Sequence, residues 1–233
     1  MDDFLHRIGA PFLDAHPEFS IADAEGDCVT FVGDYLLDAE YQGVRLVEQY
    51  GLRISVPIDF PTHLPKVNET TGLIPVEYEH LYSDRSFCLG VDGEIALKLS
   101  REPTLSNYLD TFVRGYLYSA NFFFTYGRYP FGDRAHGGNG ILDAYKELFD
   151  VDSGLAAFRL LGYIALSSYR GHLDCPCGSG IRARYCHGPL ILDIIKSTAV
   201  ESVRSDYHRI LGQLKSEQEA NAHRRRFPMV PVE

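Results

Sequence analysis

The chain has no tryptophan, no apolar run long enough to span a bilayer and fewer cations than anions. The first absence excludes nothing. The second does: no stretch of 18 apolar residues exists, and the start MDDFLHRIGA lacks the basic opening and apolar core of an export signal, so the expectation is a cytoplasmic protein with no membrane contact. The 22 Lys and Arg against 32 Asp and Glu leave a net charge of -10 and a pI near 5.3. That balance argues against a surface devoted to nucleic acid, because phosphate binding draws on clustered cations. Basic residues gather only late, at Arg182, Arg184 and the run His223, Arg224, Arg225, Arg226. A local contact of the basic C-terminal tail with an anion or nucleic acid is thus the one exception, with a solvated tail as the alternative. Cysteine is scarce too, and its number is odd: of five, three fall between Cys175 and Cys186 while Cys28 and Cys88 stand alone. Such a set suits a metal site and free thiols better than a disulfide framework.

What is present is the composition of a folded protein, 45% hydrophobic and 23% charged with 15 Tyr and 14 Phe. At 233 residues there is material for one sizeable domain or for a domain with an appendage. Residues Asp3 to Ala15 read as a short amphipathic helix with Phe4, Ile8 and Phe12 on one side, interrupted by Gly9 and Pro11. From Cys28 the pattern turns strand-like: VTFVGDYLLD and VRLVEQYGLRISVPI predict an antiparallel meander, with turns at Tyr41 to Gly43 and at Tyr50 to Gly51. The proline-rich stretch Ile58 to Pro75 predicts an extended loop across the sheet's edge. HLYSDRSFCLG then leads into Val91 to Leu99, which reads as a hairpin-like pair around Asp92-Gly93.

After Pro103 the period becomes helical, with Leu105, Tyr108, Leu109, Phe112, Val113, Tyr116, Leu117 and Ala120 on one stripe and Thr104 as N-cap. Further helices are predicted over Ile141 to Phe149, Leu155 to Ser168 and Leu190 to about Gln218, with residues 219–233 as a mobile basic tail. The glycine-rich FGDRAHGGNG between the Leu105 to Ala120 stripe and Ile141 is no phosphate cradle, lacking a preceding strand, a GxGxxG pattern and a lysine.

Two clusters carry chemistry. In CPCGSGIRARYCH, Cys175, Cys177, Cys186 and His187 supply four ligands that can close a tetrahedron around Zn²⁺, and a complete protein shell leaves no open position for a water nucleophile. The site reads as structural, with Gly178, Ser179 and Gly180 making the turn that aims backbone amides at the thiolates. The segment Cys175 to Gly188 strongly resembles the SEC-C motif found at the end of the SecA translocation ATPase and appended to many bacterial proteins. The resemblance implies a zinc-held interaction module, and the knuckle with its basic tail is expected to dock partners independently of the first domain.

The second cluster surrounds Cys88, in RSFCLG. Apolar neighbours usually mark a buried, inert thiol. The order along the chain points elsewhere: helix, meander, VPIDFPTHLP, a loop with His80, then Cys88-Leu89 and helices resembles the ubiquitin-conjugating (E2) fold over roughly residues 1–149. Ile58, Phe60, Pro61 and Pro65 match that family's strand end and proline-rich segment, and Cys88-Leu89 matches the pair whose thiol carries the modifier as a thioester. The His-Pro-Asn triplet of eukaryotic members is missing, since His80 is followed by Leu81 and Tyr82. Bacterial E2-like proteins resemble the chain more closely; several replace the triplet, and some are encoded beside anti-phage nucleotidyltransferases, which implies defence as a context.

Thioester transfer needs a thiolate, a donor to the tetrahedral oxyanion and a group that activates the amine. Cys88 is the candidate nucleophile, with His80, His136 and Asp133 as candidate helpers. Each histidine has a structural alternative, strand capping for His80 and support of a glycine-rich turn for His136. The expectation is therefore an α+β protein: an E2-like meander sheet packed with helices over 1–149, and a helical segment over 150–218 holding a SEC-C zinc knuckle. Its partners would be a ubiquitin-like modifier, a target protein and an activating enzyme. Two rivals stand: a non-catalytic E2-like adaptor with a buried Cys88, and a cysteine hydrolase, for which no nucleophile elbow or Cys-His signature exists.

Overall fold

The computed structural model describes residues 1–24, 26–132 and 137–226, with side chains of the last helix described as far as 218. Four strands, β1 (Phe19–Asp23), β2 (Cys28–Tyr41), β3 (Val44–Pro57) and β4 (Lys66–Glu69), form one antiparallel sheet in the order β1-β2-β3-β4. The β2–β3 hairpin closes at Gln42-Gly43, both with positive φ, where the sequence placed a turn. No second turn occurs at Tyr50-Gly51, because Tyr50 pairs with Tyr35 inside the ladder and buries its ring.

Alternation along this hairpin builds the core. Val29, Phe31, Tyr35 and Leu37 of β2 lie on the face shared with Tyr50, Leu52, Ile54 and Val56 of β3, and all are buried. Helix α1 (Asp2–Phe4, a π turn at Leu5–Gly9, then Ala10–Ala15) lays Phe12 against this face, its ring 5.2 Å from Phe31 and 5.3 Å from Phe19. Gly9 and Pro11 do not interrupt α1: the π turn absorbs Gly9, and Pro11 sits in the opening turn of Ala10–Ala15, where its missing N–H costs little.

Two departures in this region have local causes. Residues 66–69, expected as loop, form the edge strand β4, where Val67 buries its side chain opposite Ile54. Asp92–Leu99, expected as a hairpin, is helix α2: Ile95, Ala96 and Leu99 recur at helical spacing and are buried, while Asp92 and Glu94 favour the positive end of the helix. The long helix α3 (Leu105–Tyr108, a π turn at Leu109–Val113, then Arg114–Tyr126) follows the predicted stripe, and Thr104 Oγ1 caps it by accepting the Asn107 N–H at 3.1 Å. Tyr108 reaches across to donate its hydroxyl to Pro65 O at 2.8 Å.

The chain divides into two compact units, one of Met1–Gly90 with Ile95–Asp133 and one of Val91–Glu94 with Arg134–Glu233. The second holds α4 (Gly137–Phe149), α5 (Gly154–Leu166), α6 (Gly188–Lys196) and α7 (Val200–Arg226). It includes α4, which the sequence reading attached to the first domain. Ile141, Tyr145 and Phe149 of α4, Leu160, Leu161 and Ile164 of α5, Ile191 and Ile194 of α6, and Val203 and Ile210 of α7 are among its buried apolar side chains. The helix expected from Leu190 to Gln218 is two helices. Ser197 breaks it, donating its hydroxyl to Ile194 O at 2.8 Å and accepting from the Ala199 N–H at 3.2 Å, a local bond that competes with the helical ladder. The helical backbone runs on to Arg226, through part of the segment expected to be a mobile tail; residues 227–233 lie outside the described residues. Among the described residues no helix is long and apolar enough to cross a membrane.

Candidate functional site

The four predicted ligands meet. Cys175, Cys177, Cys186 and His187 bring their ligand atoms within 4.8 Å of one another, a cluster able to hold a metal ion. The knuckle closes by the pairing of Asp174 with Arg182, through Cys175 N–H to Ile181 O at 2.8 Å and Ala183 N–H to Leu173 O at 2.8 Å. Gly178 and Gly180 turn the chain between these arms with φ of 87° and 72°, values that favour glycine. Backbone N–H groups of Cys177 and His187 act on the Cys175 thiol, and that of Ser179, within the turn, acts on Cys177.

Spacing and chemistry fit zinc. Bonds of about 2.3 Å in a tetrahedron separate two thiolates by about 3.7 Å, and Cys177 Sγ lies 3.7 Å from Cys186 Sγ. All five cysteines are free thiols. His187 is oriented by its far nitrogen: Nε2 stands 2.8 Å from Phe149 O, a group that only accepts, so Nε2 carries the proton and donates it. That leaves the Nδ1 lone pair for the metal, and Nδ1 lies 3.3 Å from Cys175 Sγ and 3.1 Å from Cys186 Sγ. Phe149 O belongs to the last turn of α4, where carbonyls lack helical partners, so the same bond caps that helix. Burial opposes ionisation at both neighbouring thiols. At Cys177 the Ser179 hydroxyl and amide overcome it and bring the thiol down to about 6, whereas Cys175, more deeply placed, is pushed up to about 11.

Cys88 is half-buried at the end of a braced loop. Leu81 and Phe87 pair as an isolated bridge, Phe87 N–H bonds Val67 O at 2.8 Å on β4, and Cys88 N–H bonds His80 O at 2.9 Å. Asp84 holds the loop's tip: it takes Lys66 Nζ at 2.7 Å and the Ser86 hydroxyl at 2.6 Å, and these, Lys66 foremost, keep its carboxyl well below the usual range. Cys88 and His80 are thus joined through the backbone, and Tyr116 OH of α3 donates to the same His80 carbonyl at 3.0 Å. Burial, with the nearby Tyr78 and Cys88 groups adding to it, raises the Tyr116 pKa, so its phenol stays a donor at neutral pH. The His80 ring packs edge-on to Tyr78 and Tyr129, at 5.4 and 5.0 Å, and Tyr129 OH donates to Glu79 at 2.6 Å.

The sequence reading had seen Tyr116 only as a core residue of a helical stripe and had not singled out Tyr129 or Glu79. The signal is their type alone, polar-tipped aromatics and an acid close to His80 in sequence or in contact with it. Of the other predicted helpers, Asp133 and His136 lie outside the described residues. Cys28 is exposed at the start of β2, opposite Pro57. Searches of protein-family models, of curated proteins and of solved structures find no match to this chain.

Proposed function

We propose that the chain is an E2-like conjugation enzyme that carries a ubiquitin-like modifier as a thioester on Cys88, with Zn²⁺ in the Cys175, Cys177, Cys186 and His187 site as a structural ion. One observation carries the reading. After an N-terminal helix, a four-stranded meander and a proline-rich crossing, the chain presents a half-buried thiol at the end of a loop braced by Lys66, Asp84 and Ser86. A nucleophile needs that kind of rigid frame and partial access. In transthiolation the Cys88 thiolate would attack the carbonyl of the modifier held on an activating enzyme; a new C–S bond forms, the old one breaks, and the departing thiolate takes up a proton. A target amine would then displace Cys88 as C–N forms and C–S breaks. Tyr116, neutral and donating its hydroxyl to the His80 carbonyl that also takes the Cys88 N–H, would hold the backbone on either side of the thiol in place. The bacterial E2-like resemblance makes anti-phage defence the proposed setting and the cytoplasm the proposed location.

Incubation with the modifier and activating enzyme encoded beside it is expected to give a thiol-sensitive adduct. Cys88→Ser should convert it to a thiol-stable ester, Cys88→Ala should abolish it, and Cys28→Ala should leave it intact. If reagents label Cys28 and spare Cys88 in the folded protein, the reading fails.

A second reading, a non-catalytic adaptor that docks proteins through the zinc knuckle, is favoured by one feature. Tyr185 is 72% exposed on the knuckle with the Arg184 guanidinium 4.8 Å from its ring centroid, and Ile181 of the same knuckle is exposed as well. Partner binding that survives Cys88→Ala but is lost in Tyr185→Ala, with no adduct under any condition, would establish it.

A further inference from the structure

The segment that follows Cys88 is held by a buried carboxylate 113 residues away in the sequence. Asp206 of α7 is fully buried, and its Oδ2 accepts both the Gly93 N–H and the Tyr145 hydroxyl at 2.9 Å. Its Oδ1 lies 3.4 Å from Arg209, whose guanidinium also reaches Asp92 at 3.2 Å. The fit is close enough to require glycine: a Cβ on Gly93 would collide with the Tyr145 hydroxyl and stand 2.8 Å from Asp206 Oδ2. The chain enters this cradle at Val91, directly after Cys88, Leu89 and Gly90.

Tyr145 leads in the other direction to the metal site. One helical turn on, its ring stacks on Phe149 at 5.5 Å, and Phe149 O takes the His187 Nε2–H that fixes Nδ1 for a metal. The named contacts therefore run without a gap from metal ligand to His187, Phe149, Tyr145, Asp206 and Gly93. A metal on Nδ1 holds the His187 ring, and the ring holds the end of α4 that carries Tyr145. Without it the ring is held only by its Phe149 O bond and its contacts with the Cys175 and Cys186 sulfurs, and the capped end of α4 has a less firmly fixed donor.

We propose that Asp206 is a positioning residue that couples occupancy of the metal knuckle to the setting of the Cys88 segment, so that the thiol's reactivity follows the metal. The link to Gly93 stands by itself; its consequence for catalysis rests on the thioester reading. The Cys28→Ser chain, loaded with Zn²⁺ or stripped with a chelator, is followed by exchange of the Gly93 amide hydrogen and by Cys88 alkylation, resolved by peptide mass. Stripping should speed Gly93 exchange at least tenfold and change the Cys88 alkylation rate at least fivefold. Gly93→Ala and Asp206→Ala should each produce both changes in the zinc-loaded protein, with little added by removing the metal. Tyr145→Phe, which deletes only one donor to Asp206, keeps the test open if those variants do not fold and should give smaller changes in the same direction. Gly93 exchange indifferent to zinc, or metal and Asp206 effects that simply multiply, overturns the proposal. A Cys88 that never forms a thioester while Gly93 still follows the metal would defeat the thioester reading and leave the coupling in place.

Discussion

Asp206 shows how one side chain's surroundings set its chemistry. Burial raises its pKa to about 6 from 3.8, Asp92 adds to the rise, and the Gly93 amide, Tyr145 hydroxyl and Arg209 hold it back. Of the nearby acids, Asp92 is itself raised by burial, and Glu94 lies near enough to Tyr145 to act on the same group. A carboxyl that is easier to protonate folded than unfolded adds stability below pH about 4 and loses it as pH rises to about 6, since the folded state binds more protons across that window. The wild type should therefore lose about 2 kcal/mol between pH 4 and pH 7 relative to Asp206→Asn, which keeps an acceptor for Gly93 and Tyr145 but cannot ionise. Urea unfolding at several pH values checks this; parallel pH profiles would contradict it. This residue was invisible in the sequence because its partners are remote, with Tyr145 61 positions away. The four residues able to hold a metal were legible for the opposite reason: all sit between Cys175 and His187, so local spacing carries their geometry.

At the scale of elements, legibility followed the strength of the local period. The β2–β3 hairpin and α3 were plain, because alternation over Val29 to Leu37 and the stripe from Leu105 to Ala120 each repeat several times. Short elements were misread. Asp92-Gly93 looked like a turn by composition, yet Gly93 is glycine for close packing against Asp206 and Tyr145 inside a helix. β4, only four residues long, was hidden between prolines and owes its existence to pairing with β3. Another glycine shows the same constraint in the sheet. Gly33 of β2 pairs with Phe19 of β1, and a Cβ there would come within 2.5 Å of Glu18 O and 2.6 Å of Phe19 Cα. Backbone cannot yield as a flexible side chain can, so Gly33→Ala should cost about 1–3 kcal/mol by pushing β1 off the sheet. Thermal unfolding would measure the loss, and faster amide exchange in β1 than in β3 would locate it; an unchanged melting temperature would refute the account.

For the whole molecule, the presence of two compact units decides what the metal supports. The knuckle is no detachable appendage: His187 opens α6 and caps α4 through Phe149 O, while α7 beyond it supplies Asp206 to α4 and to the Gly93 segment. Truncation before Gly171 would remove α6 and α7 and strip α4 of those partners. Residues 137–166 should then lose protection against hydrogen exchange. The sheet of the first unit carries its own core, in which Phe12, Phe31, Ile54 and Leu117 are buried, so metal loss should be felt unequally. Three thiolates and an imidazole bind Zn²⁺ only when brought together, and that binding free energy adds to the stability of the fold that assembles them. Purified protein is expected to carry one zinc per chain, and Cys177→Ser to lose it. Because the second unit is of ordinary domain size, losing a few kcal/mol there should lower its melting by about 10 °C or more. Metal analysis with calorimetry, and exchange resolved by segment, can separate the units: α4 and α6 should open after chelation while β2 and β3 remain protected. Zinc content unaffected by Cys177→Ser would refute the ligand assignment, and equal loss of protection in the sheet would show that the first unit depends on the metal as much as the second.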